Sequence, residues 1–188
     1  IYFSLTMLIL LFPLFLLTGI IIKLESRGPV FFVQERVGLR GRRFMLYKFR
    51  TMVTDAEKLL ESLLEKNEAD GPVFKIKSDP RVTRTGRFLR KTGLDELPQL
   101  YNVLKGEMSL IGPRPSLPEE VQKYERWQLR RLSVKPGITC SWQILPDRHG
   151  VKFEKWMKLD LQYIDNWSLN KDFGLFLRTI ATFFTAKG

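Results

Sequence analysis

The sequence predicts an α+β fold, mainly α-helical, joined at its N-terminus to an apolar membrane segment, and three observations predict it. Residues 1–22 carry no charged side chain. Two stretches rich in β-branched and aromatic residues, 30–36 and 44–50, flank the turn signal Gly38-Leu39-Arg40-Gly41 and read as one β-hairpin. Elsewhere apolar positions recur at helical spacing, in 54–67, 97–104, 116–132 and twice beyond residue 152. A chain of 188 residues buries one respectable core. The expected division is therefore a membrane segment, 1–22, and one folded body, 23–188. Because the chain begins with Ile rather than Met, a longer parent protein is left open.

Net charge is +11, from 31 Lys and Arg against 20 Asp and Glu, all of it beyond Ile22. A basic body beside an apolar segment suits anionic partners: a lipid leaflet, a phosphate-bearing substrate or nucleic acid. One cysteine, Cys140, excludes an intrachain disulfide, and one histidine, His149, argues against a His-rich zinc site.

Residues 1–22 are long enough as one straight helix to cross a hydrocarbon core of about 30 Å. Pro13 removes a helical hydrogen bond near the middle, so a kink or break is expected there. No basic leader precedes the segment and no small-residue cleavage site follows it, which argues against a signal peptide. The basic flank, Lys23, Arg27, Arg36, Arg40, Arg42 and Arg43, lies after it and places the body on the cytoplasmic side. Hydropathy favours a kinked span over a hairpin bent at Pro13 that enters and leaves by one face.

In the second arm of the β-hairpin, Lys48 and Arg50 share a face and Phe49 opposes them, a cation pair suited to a polyphosphate or to anionic lipid. Thr54 and Glu57 form a capping-box pair ahead of Leu59, Leu60, Leu63 and Leu64, so a helix is expected through Asn67. Arg81, Arg84, Arg87, Arg90 and Lys91 then recur at three- or four-residue intervals, most of them on one helical face.

That face ends at Thr92-Gly93-Leu94-Asp95-Glu96-Leu97-Pro98-Gln99. Leu97, Leu100, Tyr101 and Leu104 have helical spacing, Gly106 stops the run, and Pro98 fits only a first turn. Asp95 is thus expected at or near a helix N-terminus, where free N–H groups favour an ionised carboxylate or a docked phosphate. Such an Asp can attack phosphorus, and Glu96 is a hard oxygen ligand suited to magnesium. The plainer alternative is that Asp95 is an N-cap and Glu96 a dipole partner.

In Gly112-Pro113-Arg114-Pro115 two prolines stiffen the backbone that aims Arg114. Ser116 and Glu119 make a second capping box, expected to open a helix running to about Leu132, with Trp127 and Leu129 on its apolar side. Residues 138–143 look extended and 147–150 form a polar loop. Cys140 with His149 is read as buried filler rather than a thiol-protease pair. Two helices close the chain; the second is rich in Phe and suits either a core or a membrane interface.

Taken together, these blocks resemble the catalytic unit of the bacterial sugar transferases, the monotopic phosphoglycosyl transferases that act on polyprenol phosphate. The match runs, in order, through the apolar segment with Pro13, Gly28-Pro29-Val30-Phe31-Phe32, Tyr47-Lys48-Phe49-Arg50-Thr51-Met52, Asp79-Pro80-Arg81, Arg90-Lys91-Thr92, Leu94-Asp95-Glu96-Leu97-Pro98-Gln99, Gly112-Pro113-Arg114-Pro115 and Val134-Lys135-Pro136-Gly137-Ile138-Thr139 with Trp142-Gln143. It continues into Leu159-Asp160, Tyr163-Ile164 and Asn166-Trp167-Ser168, and so covers nearly the whole chain. Phe12 stands where some members carry Ser, and Cys140 where many carry Gly.

The resemblance implies transfer of a sugar-1-phosphate from a UDP-sugar to undecaprenyl phosphate with release of UMP, as the first membrane step of cell-surface glycan synthesis. It implies Asp95 as covalent nucleophile, with Glu96 serving metal and phosphates. Lys48 and Arg90 face phosphate, Arg114 the nucleotide side, and Arg148 a substrate loop. Mg2+ is the implied cofactor, held by Glu96 and Asp95. The family's apolar segment is a re-entrant helix broken at its proline, with amphipathic helices lying on the cytoplasmic face of the bacterial inner membrane. Membrane lipids are therefore implied partners and nucleic acid is not; oligomeric state stays open. The rival class is a basic, membrane-tethered module that binds anionic lipid or nucleic acid without chemistry.

Overall fold

The computed structural model describes residues 1–145 and 150–185. The apolar segment forms two helices, α1 (Tyr2–Leu10) and α2 (Phe12–Glu25), bent by 57° at the expected proline. Among the described residues no single helix is long and apolar enough to cross a membrane. Both arms lie against the body. α1 packs on α4 (Gln99–Leu104), buries Ser4 and sets the Phe3 ring edge-on to Phe176 at 5.8 Å; α2 packs on α3 (Arg84–Thr92). The bend points its apolar side chains outward: Ile9, Leu10, Phe12, Leu16 and Leu17 are all more than half exposed. α2 continues past Ile22 to Glu25, and its C-terminal backbone is closed by Arg50, whose guanidinium donates to the carbonyls of Ser26 and Arg27.

The β-hairpin forms as expected from β1 (Phe31–Val37) and β2 (Arg43–Phe49). Its register pairs Phe32 with Lys48, Gln34 with Leu46 and Arg36 with Phe44, so these six side chains share one face. On that face Phe44 and Leu46 pack with Val103 and Met108. Opposite, Phe49 joins Ile22 and Leu89. Asn102, fully buried, bonds the backbone of Met45 and Tyr47 and so fastens α4 to β2.

Two expected helices are absent. Residues 54–67 form turns and a 3-10 helix, Glu61–Lys66, because the leucine stripe has no wall to pack on: Leu63 is buried while Leu59 and Leu64 are exposed. Only one α-turn, α5 (Pro118–Val121), opens in 116–132, and a 3-10 helix, Gln128–Ser133, ends it. The box is shifted by one residue, since Glu120 accepts from the Leu117 N–H while the Ser116 hydroxyl is engaged with Tyr124 and Arg131. Trp127 does pack against the Tyr124–Phe153–Met157 cluster, whereas Leu129 is exposed. About half the chain is helical, so the fold is a mixture of helix and sheet rather than mainly α-helical.

A second sheet is legible only in part: of 138–143, expected to be extended, residues 138 and 139 lie in a strand, and the chain turns from 141. β3 (Ser109–Ile111) and β4 (Gly137–Thr139) pair in parallel, and each is too short to show a pattern. The closing helices appear as expected, α6 (Phe153–Asp165) and α7 (Leu169–Thr185), with Leu175 and Phe176 of α7 packed near Ile111 and Tyr163.

Candidate active site

Four separate pieces of chain converge on one carboxylate pair. α3 is capped at its start by Thr83, whose hydroxyl accepts from the Gly86 N–H, and ends at Gly93 in the left-handed region, φ 69°. A Cβ on Gly86 would lie 2.0 Å from the Thr51 carbonyl, so the missing side chain lets α3 press onto the strand exit. From there Arg90 donates through Nε to Thr51 Oγ1 at 2.9 Å. After Gly93 the chain makes a 3-10 turn, Leu94–Glu96, carrying both carboxylates. This corrects the expected position: Asp95 precedes α4 by four residues and does not cap it, because Pro98 takes that place.

Lys48 on β2 reaches Glu96 Oε1 at 2.9 Å, and Arg114 Nη1 donates to the same oxygen at 3.1 Å. The expected pairing of Lys48 with Arg50 on one face does not hold, since the strand ends at Phe49 and Arg50 turns to α2. Of the basic run, Arg90 alone reaches the dyad's surroundings. Arg81 precedes the helix and is paired to Asp79 at 2.6 Å, and Arg84, Arg87 and Lys91 are exposed. Arg148 and His149 lie outside the described residues.

Arg114 is held by its backbone. Four consecutive carbonyls are each taken by a different donor: Pro113 by the Gly137 N–H (2.9 Å), Arg114 by Arg131 Nη2 (2.8 Å), Pro115 by Arg36 Nη1 (3.2 Å) and Ser116 by the Val37 N–H (2.9 Å). Arg131 is itself fixed by Asp160 Oδ2 at 2.8 Å, by Ser116 Oγ and by the Tyr124 hydroxyl. The two prolines stiffen this segment, and the four anchors immobilise it. Arg131, Asp160 and Arg36 were not singled out from sequence as site residues. For Arg36 the signal was present in the strand alternation, which places it on the Lys48 face once the turn is located.

The two carboxylates are poised differently. Asp95 is 8% exposed and, among the described residues, no group donates a hydrogen bond to it. Burial pushes its carboxyl up to about 6, opposed by Lys48 and, less strongly, by Arg90 and Arg114, while Glu96 adds to the rise. For Glu96 burial acts in the same direction, but Lys48 and Arg114 outweigh it and pull the carboxyl down to about 2. Glu96 is thus a fixed anion and Asp95 a carboxylate whose negative charge is incompletely compensated. Cys140 is fully buried, and burial holds its thiol well above the ordinary range, so it is no nucleophile here.

No cluster of three or more metal-ligating side chains occurs among the described residues. The donor set nevertheless fits a hard cation of the magnesium kind, which is held by one or two carboxylates and completed by substrate phosphates and water. Lys48 and Arg114 both bond Glu96 through Oε1, leaving its other oxygen and the Asp95 carboxylate without hydrogen-bond donors.

A carboxylate pair set among three cations, on a chain whose apolar helix pair is folded against the same body, defines the candidate site, and a family match goes with it. Residues 1–186 match the bacterial sugar transferase family, and the chain belongs to it. It is 50% identical over 156 residues, or 83% of its length, to a galactosyl transferase, CpsE, of Streptococcus agalactiae, and 42% identical over 160 residues, or 81% of its length, to the undecaprenyl-phosphate galactose phosphotransferase of Salmonella typhimurium. Those matches cover 35% and 33% of the two relatives, so the chain spans about a third of their length. The exopolysaccharide production protein ExoY of Rhizobium meliloti is 39% identical over 96% of the chain and 81% of its own length.

Proposed function

We propose that this chain is a phosphoglycosyl transferase, which moves a sugar-1-phosphate from a UDP-sugar to undecaprenyl phosphate through an aspartyl phosphosugar. The observation that carries the reading is Asp95: a carboxylate buried among Lys48, Arg90 and Arg114 yet accepting no hydrogen bond from them. A carboxylate kept only as a structural counterion would be hydrogen-bonded by those cations, as Glu96 is. The name of one relative, an undecaprenyl-phosphate galactose phosphotransferase, supports the acceptor and a sugar phosphate as the transferred group.

In the first step an Asp95 oxygen attacks the sugar-bearing phosphorus of the donor. The bond from that phosphorus to the bridging oxygen breaks, and UMP departs with the oxygen and its negative charge. Lys48 and Arg114, already fixed by Glu96, offer positive charge to the phosphoryl oxygens without reorganisation, and Arg90, held by Thr51, adds to it. In the second step an oxygen of the lipid phosphate attacks the same phosphorus and expels the Asp95 carboxylate, leaving a polyprenyl diphosphosugar. Splitting the transfer in two lets UMP leave before the lipid enters, so one small site serves both. Mg2+ would be held by Glu96 and Asp95 together with substrate phosphate, where it supplies charge neutralisation.

The lipid acceptor requires the site to lie at a bilayer. The outward apolar side chains at the bend between α1 and α2, with both arms returned to the body, support a re-entrant segment dipping into one leaflet, and the basic flank supports the cytoplasmic face. The test uses purified protein and donor alone. UMP should reach about one equivalent and stop, and intact mass should show a phosphosugar that Asp95→Asn never acquires. If UMP appears only when both substrates are present, and no adduct forms, Asp95 is not the nucleophile.

A further inference from the structure

Among the described residues Arg36 makes no direct ion pair with a carboxylate. Its Nη1 donates to the Pro115 carbonyl at 3.2 Å and its Nη2 to Gln34 Oε1 at 2.6 Å, while its Nε is buried with no partner. It lines a crevice of about 10 Å³ together with Lys48, Gln99, Arg114 and Pro115. The neighbouring guanidinium of Arg114, after burial itself, depresses its affinity for a proton, and Glu96 and Glu120 only partly offset this. Lys48, Arg90, Arg114 and Arg36 thus stand against three carboxylates, Asp95, Glu96 and Glu120, and the cluster carries about one excess positive charge. Like charges gathered this closely and partly out of water are held at a cost that an anionic ligand removes.

Resting on the transferase reading above, we propose that Arg36 is a further substrate-binding residue, which with Arg114 and Lys48 receives a phosphoryl oxygen of a substrate in this crevice. The space is that of about one water, so it admits a single oxygen and not a whole phosphate. The diphosphate of the donor and the phosphate of the lipid acceptor both offer such an oxygen. Because Arg36 also holds the Pro115 carbonyl, an anion drawn to it presses on the segment that aims Arg114.

The test compares wild type with Arg36→Gln and Arg36→Lys, using donor-only UMP bursts over a range of UDP-sugar concentrations and steady-state turnover over a range of undecaprenyl phosphate. Loss of a charge-assisted hydrogen bond should raise the half-saturating donor concentration about tenfold or more in Arg36→Gln, with burst amplitude kept, and Arg36→Lys should recover much of it. A rise confined to the KM for lipid phosphate also supports the subsite and assigns it to the acceptor. Unchanged half-saturation for both substrates overturns the inference. So does a fall in burst amplitude and melting temperature with half-saturation unmoved, which is what a purely structural bond to Pro115 gives. Should Arg36→Gln not fold, Arg36→Met, which keeps the packing of the side-chain stem and removes the charge, takes its place, and unchanged half-saturation for both substrates overturns the inference. Wild-type protein that releases no UMP from any UDP-sugar refutes the functional reading itself.

Discussion

Changing each carboxylate of the pair to its amide, one at a time, perturbs two neighbours in a single turn and should move stability in opposite directions. Folding carries the Asp95 carboxyl from an ordinary 3.8 to about 6, which at pH 7 corresponds to about 3 kcal/mol against the folded state. Folding carries Glu96 from 4.5 to about 2, about 3 kcal/mol in favour. The signs follow from linkage. A raised carboxyl costs stability as pH rises from about 4 through about 6, and a depressed one contributes stability above about 4.5 that is lost as pH falls toward 2. Asp95→Asn should therefore melt several degrees above wild type at pH 7, with most of the gain gone near pH 4.5, where native Asp95 is already protonated. Glu96→Gln leaves Lys48 and Arg114 facing each other without their shared anion and should melt several degrees below wild type. Thermal melts of both variants in the same detergent, at the two pH values, read this directly. If both variants lose stability equally at pH 7, Asp95 is an ordinary paired carboxylate and the reasoning about its poise fails.

The remaining expectations concern the reaction. Because Asp95 must be ionised to attack, the donor-only burst rate at limiting donor should fall about tenfold per pH unit below about 6; a profile flat down to pH 4.5 would contradict this. Excess EDTA should abolish UMP release and added Mg2+ restore it, given the two carboxylates with oxygens left free of donors. Full turnover in EDTA would remove the metal from the scheme.

Local signals carried the elements with strong patterns: the break at Pro13, the β-hairpin, the basic helical face of α3, and the two closing helices. What failed was whatever tertiary contacts decide. The leucines of 59–64 have helical spacing, but a stripe forms a helix only where a surface receives it, and Leu59 and Leu64 meet none. Ser116 has the chemistry of a cap, yet its hydroxyl is drawn to Arg131, fifteen residues along the chain, by a contact no local pattern encodes. At the site, Lys48, Glu96 and Arg114 were legible as residue types in stiff or charged contexts, and the structure brings them into contact. Arg131 and Asp160 were illegible because their work is to fill Arg114's backbone hydrogen bonds, and a buried Arg–Asp pair has no periodicity.

The alternation of β2 and the pitch of α3 explain why chemistry and membrane segment sit so close. Lys48 reaches Glu96, while Phe49, the next residue and on the opposite face, stacks on Phe31 and meets the Phe15 ring edge-on at 5.3 Å. Leu89 packs with Ile22 of α2, while Arg90, its neighbour, bonds Thr51 beside the dyad. At two places a single residue step separates a cation of the candidate site from a residue that holds the apolar helix. A strand advances about 3.3 Å per residue and a helix about 1.5 Å, so the cations cannot be more than a side chain's reach from the packing of α2. In the proposed reaction, a lipid phosphate whose chain lies along that helix would need no long excursion to meet Asp95. Changes that loosen Phe49 or Leu89 should act on Lys48 and Arg90 before they act on the fold as a whole, because the neighbours share one backbone.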